Sequence, residues 1–197
     1  MNAKDLNLAS HLDEILQSGV VDALKIEGRT KSPYYVAATA KAYRAGIDDF
    51  YAGHFEREKY VAELNTTKNR GFSDGYLINR PFEKDGDQNL DVSIVEGSHQ
   101  VYALVNEDGM SFKAKDKVEP NLEYEVMLPL HVNTLEPCDN EIGALHVRDG
   151  KTIIIFKKIM TVKGKEMDAV HSGNVNDIQL PCALPYLSFF RREVIEQ

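Results

Sequence analysis

The chain has 197 residues, 43% of them apolar, with 23 Lys+Arg against 31 Asp+Glu for a formal net charge of −8. That length holds one domain or two small ones, at roughly 100–200 residues per domain, and the composition excludes a disordered tail. No apolar stretch nears the ~20 residues needed to cross a bilayer and the opening residues show no charged-then-apolar signal, so a cytoplasmic protein with no membrane partner is expected.

Residues 1–80 carry helical periods. Leu8, Leu12, Ile15 and Leu16 sit at helical spacing, with Asp5 placed to cap the segment and Gly19 to stop it. The β-branched run Val20–Ile26 predicts a short buried strand. Ser32 as N-cap and Pro33 at the first helical position open a second helix, since a proline there forfeits no hydrogen bond. Its predicted apolar stripe is Val36, Ala40, Tyr43, Ile47, Phe50 and Tyr51, with Lys41, Arg44 and Asp48 opposite and Gly53 at the stop. A third helix is predicted over Glu56–Leu64. Helix, strand, helix is the order of β/α units.

Phe82–Asn89, with Lys84-Asp85-Gly86-Asp87, reads as a linker, and over residues 90–197 the period falls to two. Predicted strands are Val92–Val95, Gln100–Val105, Ser111–Lys115, Tyr124–Leu128, Gly143–Val147, Thr152–Ile159, Met167–Val170, Asp177–Leu180 and Leu187–Arg192. Turn signals separate them, and Asp149-Gly150 is a strong hairpin signal. Many short strands at this spacing indicate a small barrel or sandwich. Cys138 and Cys182 have no short-spaced partner, which excludes a disulfide framework or zinc knuckle and leaves two reduced thiols.

The run Leu24-Lys25-Ile26-Glu27-Gly28-Arg29-Thr30-Lys31-Ser32, leading into Tyr35 and Ala42-Tyr43-Arg44, resembles the collagenase-like peptidases of unknown catalytic type (peptidase family U32). Asn69-Arg70-Gly71-Phe72 with Gly75-Tyr76-Leu77 matches the next motif of the branch that acts in tRNA 5-hydroxyuridine formation. Lys163-Gly164-Lys165-Glu166-Met167 and the stretch from Leu180-Pro181 to Phe190-Arg191 match its tail more loosely, while Asn121 stands where the family has a turn glycine, implying a different turn type.

The resemblance implies a (β/α)₈-type barrel followed by a small β-barrel. A complete (β/α)₈ barrel needs about 250 residues, so the chain resembles only the family's C-terminal portion. The expected class is α+β, with terminal β/α units of a truncated barrel and a connecting helix over 1–80, then an antiparallel β-barrel over 90–197. The missing N-terminal barrel portion becomes the first expected partner. An exposed strand edge or apolar helix stripe seeks cover, so the Val36–Tyr51 helix is expected to pack on the β region or on a second copy of the chain.

The implied function is prephenate-dependent 5-hydroxylation of the tRNA wobble uridine, with the β-barrel as an accessory RNA- or partner-binding module. A collagenase-like peptidase fragment and a purely structural docking module are the alternatives. The family's cysteine-rich signature, which holds an iron–sulfur cluster in related proteins, matches neither Cys138 nor Cys182. No cofactor is therefore expected in this chain, which alone is expected to be inactive.

Lys25, Glu27, Arg29 and Lys31 are the substrate-mouth candidates, because residues just past a barrel strand point into the mouth. Arg29 offers a planar fork to a carboxylate or phosphate, whereas a Glu27–Arg29 ion pair fixing the loop is the structural alternative. Gly71-Phe72-Ser73-Asp74-Gly75 spells a nucleophile elbow without the strand-then-helix setting that the elbow requires. The six histidines show no metal-ligand spacing.

Lys113, Lys115 and Lys117 alternate, which puts them on one strand face, and Lys157, Lys158, Lys163 and Lys165 lie in a run with no acid. These seven are the RNA-contact candidates, with Tyr102, Phe112 and Phe156 as stacking platforms. Lysines that keep a sheet edge from pairing with other chains, and aromatics buried in the core, are the alternative readings.

Overall fold

The structure is a computed structural model describing residues 2–78, 88–89, 97–130, 132 and 135–194. Strand Val92–Val95 and nearly all of the Phe82–Asn89 linker lie outside the described residues. Two compact units divide the chain at residue 98.

The first unit is built from strands β1 (Asn2–Ala3) and β2 (Asp5–Leu6), helices α1 (Leu12–Gln17), α2 (Pro33–Ala52) and α3 (Arg57–Asn65), and strands β3 (Phe72–Ser73) and β4 (Gln88–Asn89). The cap expectations for α2 hold. Ser32 Oγ accepts the Tyr35 N–H at 3.2 Å, Pro33 opens the helix, and Gly53 closes it at φ 80°, a left-handed conformation that glycine adopts without Cβ strain.

Three expectations for this unit fail. Asp5 does not cap a helix; it lies in β2, and a 3-10 turn over Ala9–His11 precedes α1. Val20–Ile26 forms no strand, because a strand needs a hydrogen-bonded neighbour and among the described residues none lies beside it. Val20, Val21 and Ile26 are accordingly exposed.

The third failure is the face of α2. Its buried residues are Tyr34, Ala38, Thr39, Ala42 and Gly46, while Val36 and Tyr51 are exposed. Close approach decided this. A Cβ at Gly46 would stand 2.8 Å from Leu12 Cδ2 and 3.5 Å from the Tyr60 ring, so at this contact only a small residue fits between α2 and its neighbours.

The second unit is one curled antiparallel sheet with a barrel-like curve, as expected for the α+β class. Its strands are β5 (His99–Val105), β6 (Ser111–Ala114), β7 (Glu123–Met127), β8 (Cys138–Asp139), β9 (Gly143–Arg148), β10 (Lys151–Phe156), β13 (Ile178–Gln179) and β14 (Phe189–Glu193). Between β10 and β13 a small ladder pairs β11 (Ile159–Met160) with β12 (Glu166–Met167). The sheet order is β13-β6-β5-β14-β7-β10-β9-β8. Asp149 and Gly150, at φ 52° and 74°, form the predicted hairpin turn between β9 and β10. Asn121 stands at φ 61°, a left-handed conformation that asparagine adopts more readily than most residues with a side chain.

Four rings fill this core. Phe112, Tyr124, Phe156 and Phe190 are fully buried, with Phe112 at 5.2 Å from Phe156 and 5.3 Å from Phe190 between centroids. Phe112 and Phe156 are therefore core residues and offer no stacking platform.

Gly143 pairs with Phe156 across β9 and β10. A Cβ there would lie 2.3 Å from the Ile155 carbonyl oxygen, a backbone atom that cannot rotate aside. Gly143→Ala is expected to destabilise the second unit by about 2–3 kcal/mol. Urea unfolding followed in this unit measures it, and an unmoved midpoint would show that β10 yields.

Candidate functional site

The site is assembled around one carboxylate. β2 and β3 run parallel, with Asp5 opposite Phe72 and Leu6 opposite Ser73, and the Asp5 N–H donates to the Gly71 carbonyl at 2.8 Å. Asn69 prepares the turn into β3: its Nδ2 donates to the Thr67 carbonyl at 2.9 Å and its Oδ1 accepts the Gly71 N–H at 2.8 Å. Gly71 completes the turn at φ 83°. The next side chain in the motif, Arg70, reaches back across the strand pair.

Arg70 donates from Nε and Nη2 to Asp5 Oδ1 at 2.9 and 2.6 Å, and its backbone N–H donates to Oδ2 at 3.1 Å. Lys31 Nζ meets Oδ2 at 2.9 Å from the loop before α2, and lies 4.8 Å from the centre of the Tyr35 ring. The Asp5 side chain is only 8% exposed. Burial alone would raise its pKa, but the bonds from Lys31 and Arg70 outweigh that and hold the carboxyl below its ordinary value.

Beside this anchor lies a cavity of about 440 Å³, walled by β2, α1, the 23–31 loop and one face of α2. All four mouth candidates, Lys25, Glu27, Arg29 and Lys31, line it. The expected Glu27–Arg29 ion pair does not form; Glu27 faces Lys25 at 3.9 Å, and both are exposed. Arg29 makes no ion pair among the described residues. Lys4, Lys25, Arg29, Lys31 and Arg70 face two acids, Asp5 and Glu27, so the lining is cationic in a chain of net charge −8.

The α2 wall supplies uncharged donors. Tyr35 and Tyr43 line the cavity, and burial raises the pKa of both, reinforced at Tyr35 by the Asp5 charge. The Thr39 hydroxyl is buried in the same wall with no hydrogen-bond partner among the described residues. A small anion entering here would meet a guanidinium, ammonium groups and hydroxyls in one chamber, with apolar surface from Leu8, Leu12 and Ile15. Sequence reasoning found the loop residues. It missed Asp5, whose partners lie 26 and 65 positions away, and the polar face of α2.

Ser73 is no elbow nucleophile in this setting: it ends β3, and its Oγ accepts the Gly75 N–H at 3.2 Å. No group of three or more His, Cys, Asp or Glu side chains suited to a metal gathers among the described residues.

The lysine candidates scatter. β6 ends at Ala114, so only Lys113 is on that strand, and the expected shared strand face of Lys113, Lys115 and Lys117 is not formed. All three are exposed, with Lys117 paired to Glu119 at 2.6 Å. Lys157 is held by Asp139 and Lys158 is half-buried, whereas Lys163 and Lys165 are exposed near the β11–β12 turn.

The peptidase family U32 profile matches residues 1–87. A tRNA hydroxylation protein P of Helicobacter pylori is 46% identical over 193 residues, covering 98% of this chain and 46% of that protein. The tRNA hydroxylation protein P of Escherichia coli is 33% identical over 148 residues, or 73% of this chain and 32% of that protein. A collagenase of Porphyromonas gingivalis is 33% identical over 81 residues, 40% of this chain and 22% of that protein. The chain thus spans less than half the length of these curated relatives. No solved structure matches it. No helix among the described residues is long and apolar enough to cross a membrane.

Asp5→Asn is expected to cost the first unit about 2 kcal/mol, because Lys31 and Arg70 lose their shared counter-charge; their partial exposure keeps the loss below that of a fully buried pair. The pH dependence follows from the sign. A carboxyl held below its ordinary value contributes its stability above about pH 4 and loses it as pH falls through the lowered value. Acid titration of thermal stability checks both, with the wild-type advantage over Asp5→Asn shrinking toward acid.

Proposed function

Because its first 87 residues place this chain in peptidase family U32, we propose that it acts in tRNA modification, as part of a cytoplasmic protein that 5-hydroxylates the wobble uridine with prephenate as an obligatory reactant. One observation carries this reading. The 193-residue likeness to a tRNA hydroxylation protein has to run through both units, whereas the 81-residue likeness to a collagenase is shorter than either.

The cavity supports a small anionic reactant. Prephenate carries two carboxylates, and Arg29 with Lys25 supplies cationic donors that are not committed to Asp5. Lys31 and Arg70, already bound to Asp5, set the shape of the chamber and its positive field. In this reading the sheet unit is an accessory RNA- or partner-binding module, with Lys113, Lys115, Lys163 and Lys165 as exposed phosphate contacts. In this reading any iron–sulfur cluster belongs to the missing N-terminal barrel portion.

The collagenase likeness favours a peptidase as the second reading. Deleting the gene and measuring nucleosides in bulk tRNA separates the two. Loss of 5-hydroxyuridine and its derivatives is expected; unchanged tRNA with loss of collagen or gelatin cleavage would favour the peptidase. Complementation with Arg29→Ala should lower the modification about tenfold or more at limiting prephenate, as removal of a charged hydrogen bond to a carboxylate predicts. Full rescue by that variant would remove Arg29 from the site.

A further inference from the structure

The two cysteines are 44 positions apart in sequence, and the fold joins the segments that carry them. Cys138 opens β8, one end strand of the sheet, opposite Leu145. Cys182 follows β13, the other end strand, in a segment fixed by the Leu180 N–H on the Met110 carbonyl and the Leu184 N–H on the Gly109 carbonyl, at 2.9 and 2.8 Å. Asn140 staples the two ends: its Nδ2 donates to the Pro181 carbonyl at 2.7 Å, while its Oδ1 accepts the N–H groups of Ile142 and Gly143.

Both cysteines are free, half-buried and packed on the same core. The Asn140–Pro181 bond holds the segments that carry them together, with Cys138 two residues before Asn140 and Cys182 next to Pro181. A disulfide between them would have to bring the two Cα atoms within about 7 Å, and the Asn140–Pro181 bond already draws the two segments to one another.

We propose that Cys138 and Cys182 are a disulfide-forming site that covalently closes the sheet between its two end strands when the protein meets a hydroperoxide. The Cys138 thiolate attacks the peroxide O–O bond, giving a sulfenic acid and releasing an alcohol, or water from hydrogen peroxide. The Cys182 thiol then attacks the sulfenic sulfur; the S–S bond forms, and the sulfenic hydroxyl leaves with the Cys182 proton as water. Two thiols are oxidised by two electrons and the peroxide is reduced by two. Burial and the adjacent Cys138 push the Cys182 thiol up to about 12, which disfavours Cys182 as the group that attacks the peroxide first. A dithiol–disulfide pair in a reducing compartment is a transient, redox-responsive one.

The test treats the full chain with hydrogen peroxide and maps its peptides without reduction. The expected product is a Cys138–Cys182 linked peptide, with the intact mass lower by two hydrogens, a raised urea midpoint for the sheet unit, and full reversal by dithiothreitol. In Cys182→Ser the same treatment should stop at a Cys138 sulfenic acid that dimedone traps. Oxygen added to either wild-type cysteine without a linked peptide, linkage between two copies of the chain, or two thiols still free after peroxide would each overturn the proposal.

Discussion

Everything in the first unit that resembles a site hangs on the Asp5 carboxylate. Five residues from the N-terminus, it gathers a lysine from the loop before α2 and an arginine from the turn into β3. Each contact closes a long stretch of chain, so the carboxylate fixes loop positions that no local propensity sets. The parallel two-residue pairing of β2 with β3 could not do this alone, since so short a ladder supplies few hydrogen bonds. Burial penalises the charge, and two cationic donors reverse the penalty. The result is a rigid corner against which the 23–31 loop can form the wall of a cavity.

The second unit solves the opposite problem with apolar matter. Fully buried aromatic rings stack edge to face and at a tilt across the curled sheet, so its stability comes from area removed from water. Among the described residues of this unit the buried charged side chain is Arg191, 6% exposed, which pairs across β14 and β7 with Glu125 and binds it at 2.6 Å, with His99 and Lys151 at 3.6 and 3.4 Å from the same carboxylate. Burial would raise the Glu125 pKa, yet its neighbours hold it well below the ordinary carboxylate range. A charge can stay buried only because it is met on several sides.

How much of this was legible in the sequence depends on the distance over which each cause acts. The caps of α2 are local chemistry, and Ser32, Pro33 and Gly53 announce them within a few positions. The Asp149-Gly150 hairpin and the apolar run Ile153–Phe156 are equally short-ranged. The buried face of α2 was not legible, because size at the point of closest approach outweighed hydrophobicity, and the partners that impose it, Leu12 and Tyr60, belong to other elements. Val20–Ile26 has strand-forming residues but no neighbouring strand to bond with. The mouth candidates were found through likeness to a family, whereas the role of Asp5 could be seen only with its partners in place.

The sign of the cavity matters more than the charge of the whole chain. At physiological ionic strength fields between exposed charges fade over about 8 Å, so a net charge of −8 distributed over the surface exerts little force inside a walled chamber. What an entering ligand meets is the local set: five cationic side chains, two acids of which Asp5 is already saturated, and hydroxyls on α2. Low-dielectric walls from Leu8, Leu12 and Ile15 strengthen that local field. The local set and its apolar walls, more than the charge of the whole chain, are what the proposed reactant-binding role rests on.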